Sequence, residues 1–339
     1  MCLFSGKVSF LRYKNSIVLS ILLSFLLISC DSDNDIEIQQ VDRYDRLSDK
    51  ELQQQQPQPQ PQPQLQLHTY YFGFDLRSSP QEDAAQYLSF LKYLESETGY
   101  HFKLYFTPKS SSTGDELGQN KTQFAAMGAD SFIKAKSKYN VISLVRGINH
   151  QGKATYQSAF VIKPDSRIRN IRDIRGSKLA FGNRDSTQGH LIPRIMLMEN
   201  NISLKDLKTY IYTGSHQNCA EAVVSGKVDV CGMQDQLAEK LASKGTLKII
   251  HHSHDYPSSG IATNKSVPAE VVEKVKQALL DFEPQGKNRK GLYHWENTEM
   301  PKGFVSANEQ DYKHLRQWSI RLGFLQASEM PVQAQEPTQ

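Results

Sequence analysis

Cysteine is scarce: four residues in 339, at Cys2, Cys30, Cys219 and Cys231. That number cannot staple a small disulfide scaffold, and without a CxxC pair a zinc ribbon or thioredoxin-like site is excluded. Dense runs of Lys and Arg are lacking too. The formal net charge of +4 rests on Lys7, Arg12 and Lys14; beyond residue 29 there are 37 basic residues against 36 acidic ones. A near-neutral chain with no basic stripe has no electrostatic footprint for nucleic acid, and no nucleic-acid partner is expected. No apolar run reaches the length of about 18 residues that reads as a membrane-spanning helix. The Gly-x-Ser-x-Gly elbow, the P-loop and the dinucleotide fingerprint are all missing. Serines and histidines are present, but no sequence feature activates one as a nucleophile. The chain therefore reads as a binder and not an enzyme, with no catalytic residue, no metal site and no cofactor expected. A cluster of His251, His252 and His254 beside Asp255 holds metal-ligand residue types, and it is read as a solvated turn at a strand end.

What is present begins with an export signal. Basic residues Lys7, Arg12 and Lys14 precede the apolar stretch IVLSILLSFLLIS, which ends at Cys30. Leu27-Ile28-Ser29-Cys30 resembles the lipobox of bacterial lipoproteins, in which the cysteine is acylated and becomes the first residue after cleavage. Residues 1–29 are thus expected to be a signal peptide, and Cys30 a lipid-anchor site. Asp31 resembles a signal that retains lipoproteins at the inner membrane, so the expected location is its periplasmic face. Residues 30–67 read as a disordered tether. Their acidic start gives way to QQQQPQPQPQPQ, which cannot bury a core and favours extended polyproline II. Residues 327–339 read as a disordered tail.

Between tether and tail, the pattern is α/β. Tyr70–Phe74 reads as a strand, and Ser79-Pro80 starts a helix with Glu82 and Asp83 in its first turn. Ala84, Tyr87, Leu88, Leu91 and Leu94 share one face of that helix, and Gly99 supplies its C-cap. Phe102, Leu104 and Phe106 alternate as a second strand, and strand–helix–strand order implies a parallel sheet. Strands follow at 124–127, 141–145, 157–162, 179–181, 210–212, 228–231 and 247–250. Residues 261–263 bring the chain back to the first lobe. Ser266, Pro268 and Glu270 then announce a helix running to Phe282, and a last amphipathic helix spans 309–322. Cys219 and Cys231 fall on a helix and a neighbouring strand. They leave two readings open, a disulfide or two buried small apolar residues.

The central stretch is FGNRDSTQGHLIPRIMLM, residues 181–198. It reads as a strand end, a polar loop and an apolar helix carrying Leu191, Ile195 and Met198. Free N–H groups at a helix start favour an anion, although Ser186 and Thr187 also suit ordinary N-capping. Asp185-Ser186-Thr187-Gln188-Gly189, with Leu191 and Pro193, resembles the Ser-Thr-Ser-Gly anion loop of phosphate/phosphite/phosphonate-binding proteins of ABC importers. Gln188 replaces the second serine. Gly214-Ser215-His216, Ala222-Val223 and Gly226-Lys227-Val228-Asp229-Val230 match a second family pattern. Phe124–Phe132 resembles its strand and ligand loop, with Ala129 and Asp130 as departures.

The resemblance implies a two-lobed type II periplasmic-binding fold, each lobe a sheet flanked by helices. Lobe 1 would comprise 68–158 and the return 259–326, and lobe 2 would comprise 159–258. It also implies a cleft ligand of the phosphonate or phosphate class. Ser186, Thr187 and the N–H groups of Gln188 and Gly189 would hold phosphoryl oxygens, joined by His216, and by Ser131 from the facing lobe. Tyr156 would lie beside the ligand, and Asp235 or Gln234 at its variable end. Asp130 would oppose an anion if it pointed into the cleft. The implied function is a membrane-anchored solute-binding protein delivering an oxyanion to an ABC permease. A sensor accessory for a membrane receptor, or an enzyme acting on phosphate esters or phosphonates, is the alternative.

Overall fold

The computed structural model describes residues 68–77 and 79–326. The expected signal peptide, Cys30, the tether and the 327–339 tail lie outside the described residues. Among the described residues, no helix is long and apolar enough to cross a membrane.

The chain opens with β1 (Thr69–Phe74), α1 (Pro80–Thr98) and β2 (His101–Tyr105). Helix α1 starts where its sequence says: the Ser79 hydroxyl accepts from the Glu82 N–H, and Pro80 occupies the first turn. It stops at Gly99, whose φ of 69° suits glycine and whose N–H donates to the Glu95 carbonyl. Tyr87, Phe90, Leu91 and Leu94 are buried on its inner face. Burying each such side chain contributes about 1.5–3 kcal/mol. Two expectations fail here. Leu88 is 50% exposed, because the apolar stripe runs through Phe90 instead, and Phe106 lies past the end of β2 at 49% exposure.

The first lobe continues with α2 (Thr113–Gly118), β3 (Phe124–Met127), α3 (Ala129–Tyr139) and β4 (Ile142–Gly147). The short β5 (Thr155–Tyr156) leads into the second lobe: β6 (Ser158–Ile162), β7 (Lys178–Phe181), α4 (Ile192–Glu199), β8 (Thr209–Tyr212), α5 (His216–Val224), β9 (Val230–Gln234), α6 (Asp235–Ser243) and β10 (Lys248–His252). The return passes through β11 (Tyr256–Pro257), β12 (Gly260–Thr263), α7 (Ala269–Leu280), β13 (Phe304–Ser306) and α8 (Lys313–Arg321).

Two sheets result, with orders β13-β4-β12-β3-β1-β2 and β10-β6-β9-β7-β8. The sheets are mixed, not parallel as the opening strand–helix–strand order implies. β1 runs parallel to β2 and β3, whereas β12 runs antiparallel to β3 and β4 because it arrives from the other lobe. The two crossing segments pair with each other, β5 antiparallel to β11, Tyr156 opposite Tyr256. This two-stranded ribbon ties the crossings together. Behind the cleft, one apolar cluster includes Met127 and Phe132 of the first lobe, Phe160 and Ile195 of the second, and Tyr312 and Leu315 from the chain's end. The last helix is preceded by a 3-10 turn at Glu309–Tyr312, capped by Asn308, so only 313–321 is α-helical. Cys219 and Cys231, both fully buried, form a disulfide.

Candidate functional site

The anion-loop segment folds as a tight π-helical turn, Thr187–Leu191, continuous with α4. Ser186 precedes it in extended conformation, and its hydroxyl oxygen accepts from the Gly189 N–H at 2.9 Å. Gly189 is required by close approach. A Cβ there would meet His216 Cε1 and Ser186 Oγ at 3.0 Å and Gly182 Cα at 3.2 Å. The loop is therefore pressed against the start of α5, which brings Ser186 and His216 to one place. Accepting the Gly189 N–H leaves the Ser186 hydroxyl proton free to donate.

His216 is 8% exposed, and burial, reinforced by the positive charge of Arg77, lowers its pKa to about 4. It is neutral at physiological pH. Its Nδ1 accepts from the Gln234 N–H at 3.3 Å, which assigns the ring proton to Nε2. His216 is thus a neutral hydrogen-bond donor at the cleft.

The facing wall is the N-terminus of α3. Four donors of that helix start each hold a protein oxygen. The Gly128 N–H donates to Asp75 Oδ2 at 2.9 Å, and the Ser131 hydroxyl donates to the same atom at 3.1 Å. The Ala129 N–H donates to the Tyr156 hydroxyl at 3.3 Å, and the Asp130 N–H donates to Thr187 Oγ1 at 2.9 Å. The last of these bonds crosses from one lobe to the other. Thr187 also lies in hydrogen-bond contact with the Tyr156 phenol, whose pKa burial raises. A cluster of oxygens at a helix N-terminus is what the unsatisfied N–H groups and dipole favour.

These elements enclose a cavity of about 390 Å³ between the lobes, lined by Asp75, Arg77, Ser131, Tyr156, Ser186–Gln188 and His216 among others. Arg77 and His216 also border a larger, adjoining cavity of about 990 Å³, edged by Glu82, Glu239, Glu296 and Glu299. Arg77 forms an ion pair with Glu299 and donates to Ser259 Oγ at 3.0 Å. Burial is the largest single influence and works against its charge, but Glu299, Tyr87, Asp75 and Tyr156 together outweigh it and keep the guanidinium protonated.

Of the residues singled out in the sequence, Ser186, Thr187, Gln188, Ser131, Tyr156 and His216 line the smaller cavity. Gly189 lies behind it with its N–H engaged. Asp235 does not line it: its carboxylate accepts from the Gln157 and Gln236 N–H groups and from Gln188 Nε2 at 3.2 Å. Asp130 points away from the cleft, fully buried and paired with Lys134 at 2.9 Å. Among the described residues, no group of three or more His, Cys, Asp or Glu could hold a metal. His252 and His254 are exposed. Sequence reading missed Asp75 and Arg77. Their only signal is a pair of charges directly after a buried strand.

The family model "ABC transporter, phosphonate, periplasmic substrate-binding protein" matches residues 72–312. The phosphonates-binding periplasmic protein of Escherichia coli K12 is 27% identical over 221 residues, covering 62% of this chain and 65% of that protein. The phosphate-import protein PhnD of Mycolicibacterium smegmatis is 26% identical over 212 residues, covering 57% and 65%. The chain therefore spans just under two thirds of the length of each relative. In fold, it is similar to PhnD1 of Prochlorococcus marinus, solved in complex with methylphosphonate. The TM-score is 0.68 at 17% identity, covering 76% of this chain and 99% of that one. The two sheets, the paired crossings and the match over residues 72–312 agree: the chain belongs to the phosphonate periplasmic substrate-binding protein family of ABC transporters.

Proposed function

We propose that this chain captures a small phosphorus oxyanion (phosphate, phosphite or a phosphonate) in the smaller cavity and delivers it to an ABC permease. The observation that carries this reading is the convergence of free, uncharged donors of the second lobe on that cavity, opposite an α3 N-terminus whose own donors hold protein oxygens. The Ser186 hydroxyl, the N–H groups that open the turn at Thr187 and Gln188, and His216 Nε2 come from one lobe. Ser131 and the α3 N-terminus face them, with Tyr156 from the ribbon between. Hydrogen bonds to a charged ligand contribute about 1.5–3 kcal/mol each, so three or four support micromolar affinity after association costs. Gly189 serves by letting the loop close onto His216, and Asp235 by fixing Gln188. The relatives' names supply the ligand class, and the family's periplasmic role supplies export. In this reading Cys30 carries the lipid that holds the protein at the periplasmic face of the inner membrane, and the protein turns over no substrate.

The test is titration calorimetry of the purified chain with phosphate, phosphite and methylphosphonate, alongside a search for phosphate release from esters and phosphonates. Micromolar binding of at least one oxyanion without turnover is expected. Binding of none sinks the reading, and turnover replaces it with an enzyme. Uptake of the bound oxyanion by a deletion strain separates importer from sensor. Loss of uptake is expected; unchanged uptake with a lost transcriptional response supports the sensor. For the anchor, Cys30→Ser is expected to abolish labelling by a fatty-acid analogue, and equal label in mutant and parent contradicts it.

A further inference from the structure

We propose that Asp75 makes the cleft selective for an oxyanion that still carries a proton. The inference rests on the binding reading above and adds to it the protonation state of the ligand. Asp75 leaves β1 with its own N–H bonded to the Ala126 carbonyl at 3.0 Å, so its backbone is fixed by the sheet. Its carboxylate is fixed as well, by the Gly128 N–H at 2.9 Å and the Ser131 hydroxyl at 3.1 Å, both onto Oδ2. No described hydrogen bond is made to Oδ1, and Asp75 lines the cavity that Ser186 and His216 also face. Among the described residues Asp75 is in no ion pair: Arg77 attracts it at longer range, but the Arg77 guanidinium is in contact with Glu299. A fixed carboxylate with no cation in contact repels a fully ionised anion and accepts a hydrogen bond from an O–H group.

A phosphonate or phosphate that keeps one proton satisfies this arrangement. It donates O–H to Asp75 while its remaining oxygens accept from Ser186 and His216. A sulfonate of the same shape has three acceptor oxygens and no proton, so it sets acceptor against acceptor. Sites built around a ligand O–H reject analogues lacking it far more strongly than apolar pockets reject a missing methylene. The other titratable groups lining the cavity are Arg77, Lys109, Tyr156, Asp185 and His216. Arg77 and Tyr156 keep their protons well above neutrality, and His216 stays neutral down to about pH 4. Asp185 pairs with Lys134 at 3.1 Å at the cavity edge.

The experiment is titration calorimetry of the purified chain with methylphosphonate from mildly acidic to mildly alkaline pH, with methanesulfonate as the proton-free isostere. Affinity is expected to fall about tenfold per pH unit above the second ionisation of methylphosphonate, as the protonated form disappears. Methanesulfonate is expected to bind at least about a hundredfold more weakly. Asp75→Asn replaces an acceptor with a donor and should flatten the pH slope and admit methanesulfonate, whereas Asp185→Asn should keep the slope. A parent affinity independent of pH, or equal affinity for both ligands, overturns the inference and leaves the binding reading standing. Both parent measurements hold even if Asp75→Asn fails to fold. Failure of the parent to bind methylphosphonate, phosphate or phosphite at any pH overturns both.

Discussion

A single substitution tests the ligand contact proposed for Thr187 beside its cap on α3. In the structure its hydroxyl oxygen takes the Asp130 N–H from the opposite lobe, a contact that caps α3 across the cleft. If capping were its whole role, Thr187→Ala would lower stability by roughly 0.5–2 kcal/mol and leave affinity nearly intact. With a further donation to a phosphoryl oxygen, affinity should also fall about ten- to a hundredfold, read by calorimetry beside thermal melts. An affinity unchanged in a mutant that melts lower would make Thr187 a cap alone. Histidines offer a second residue-scale test. Burial lowers both His190 and His216 to about 4 from an ordinary 6.5. Between those values the unfolded chain binds protons that the folded chain refuses. Stability should therefore fall as pH drops from about 6.5 toward 4, by roughly 3 kcal/mol at most for each histidine. Melting His216→Gln beside the parent checks this: a shallower acid loss is expected in the variant, and identical slopes would count against it.

At the scale of elements, local signals carried the reading wherever the determining contacts are near in sequence. The Ser79 cap, Pro80 and Gly99 bound α1 within 21 residues and were legible, as was β3 at Phe124–Met127. Helix α3 was not legible as a helix. Its start, Gly128-Ala129-Asp130-Ser131, has no side-chain cap of its own, because its donors are met by Asp75, Tyr156 and Thr187 from elsewhere. The anion loop was visible as a loop, since Ser186 and Gly189 lie three residues apart. Asp75 and Arg77 were not, since their partners Gly128 and Glu299 are 53 and 222 residues away. The disulfide belongs to this scale too. It clips α5 to β9 across a sequence separation of 12, and a loop of that size constrains the unfolded chain by about 3 kcal/mol. Replacing Cys219 and Cys231 together by alanine should cost at least that much in denaturant melts, and a cost near zero would show the link to be dispensable.

For the whole molecule, the two lobes meet in three ways: the β5–β11 ribbon, the apolar cluster under α8, and direct bonds across the cleft. Tyr156, which belongs to both the ribbon and the cluster, lines the smaller cavity, whereas Tyr256, Phe132, Phe160, Tyr312 and Leu315 do not. The cross-cleft contacts, Thr187 to Asp130 and Lys134 to Asp185, are few and polar. Such a division suits a hinged pair of lobes whose closed state is stabilised by whatever fills the cleft. Under the proposed reading, an anion in the cleft competes with the internal oxygens already seated on the α3 N-terminus.

That competition gives the most direct test of the site, a crystal structure of the chain with bound methylphosphonate. Phosphoryl oxygens are expected in the smaller cavity, within hydrogen-bond distance of Ser186 Oγ, the Gln188 N–H and His216 Nε2, with one oxygen facing Asp75. Phosphonate density confined to the larger cavity beside Glu82 and Glu239, with Ser186 and His216 untouched, would contradict the assignment.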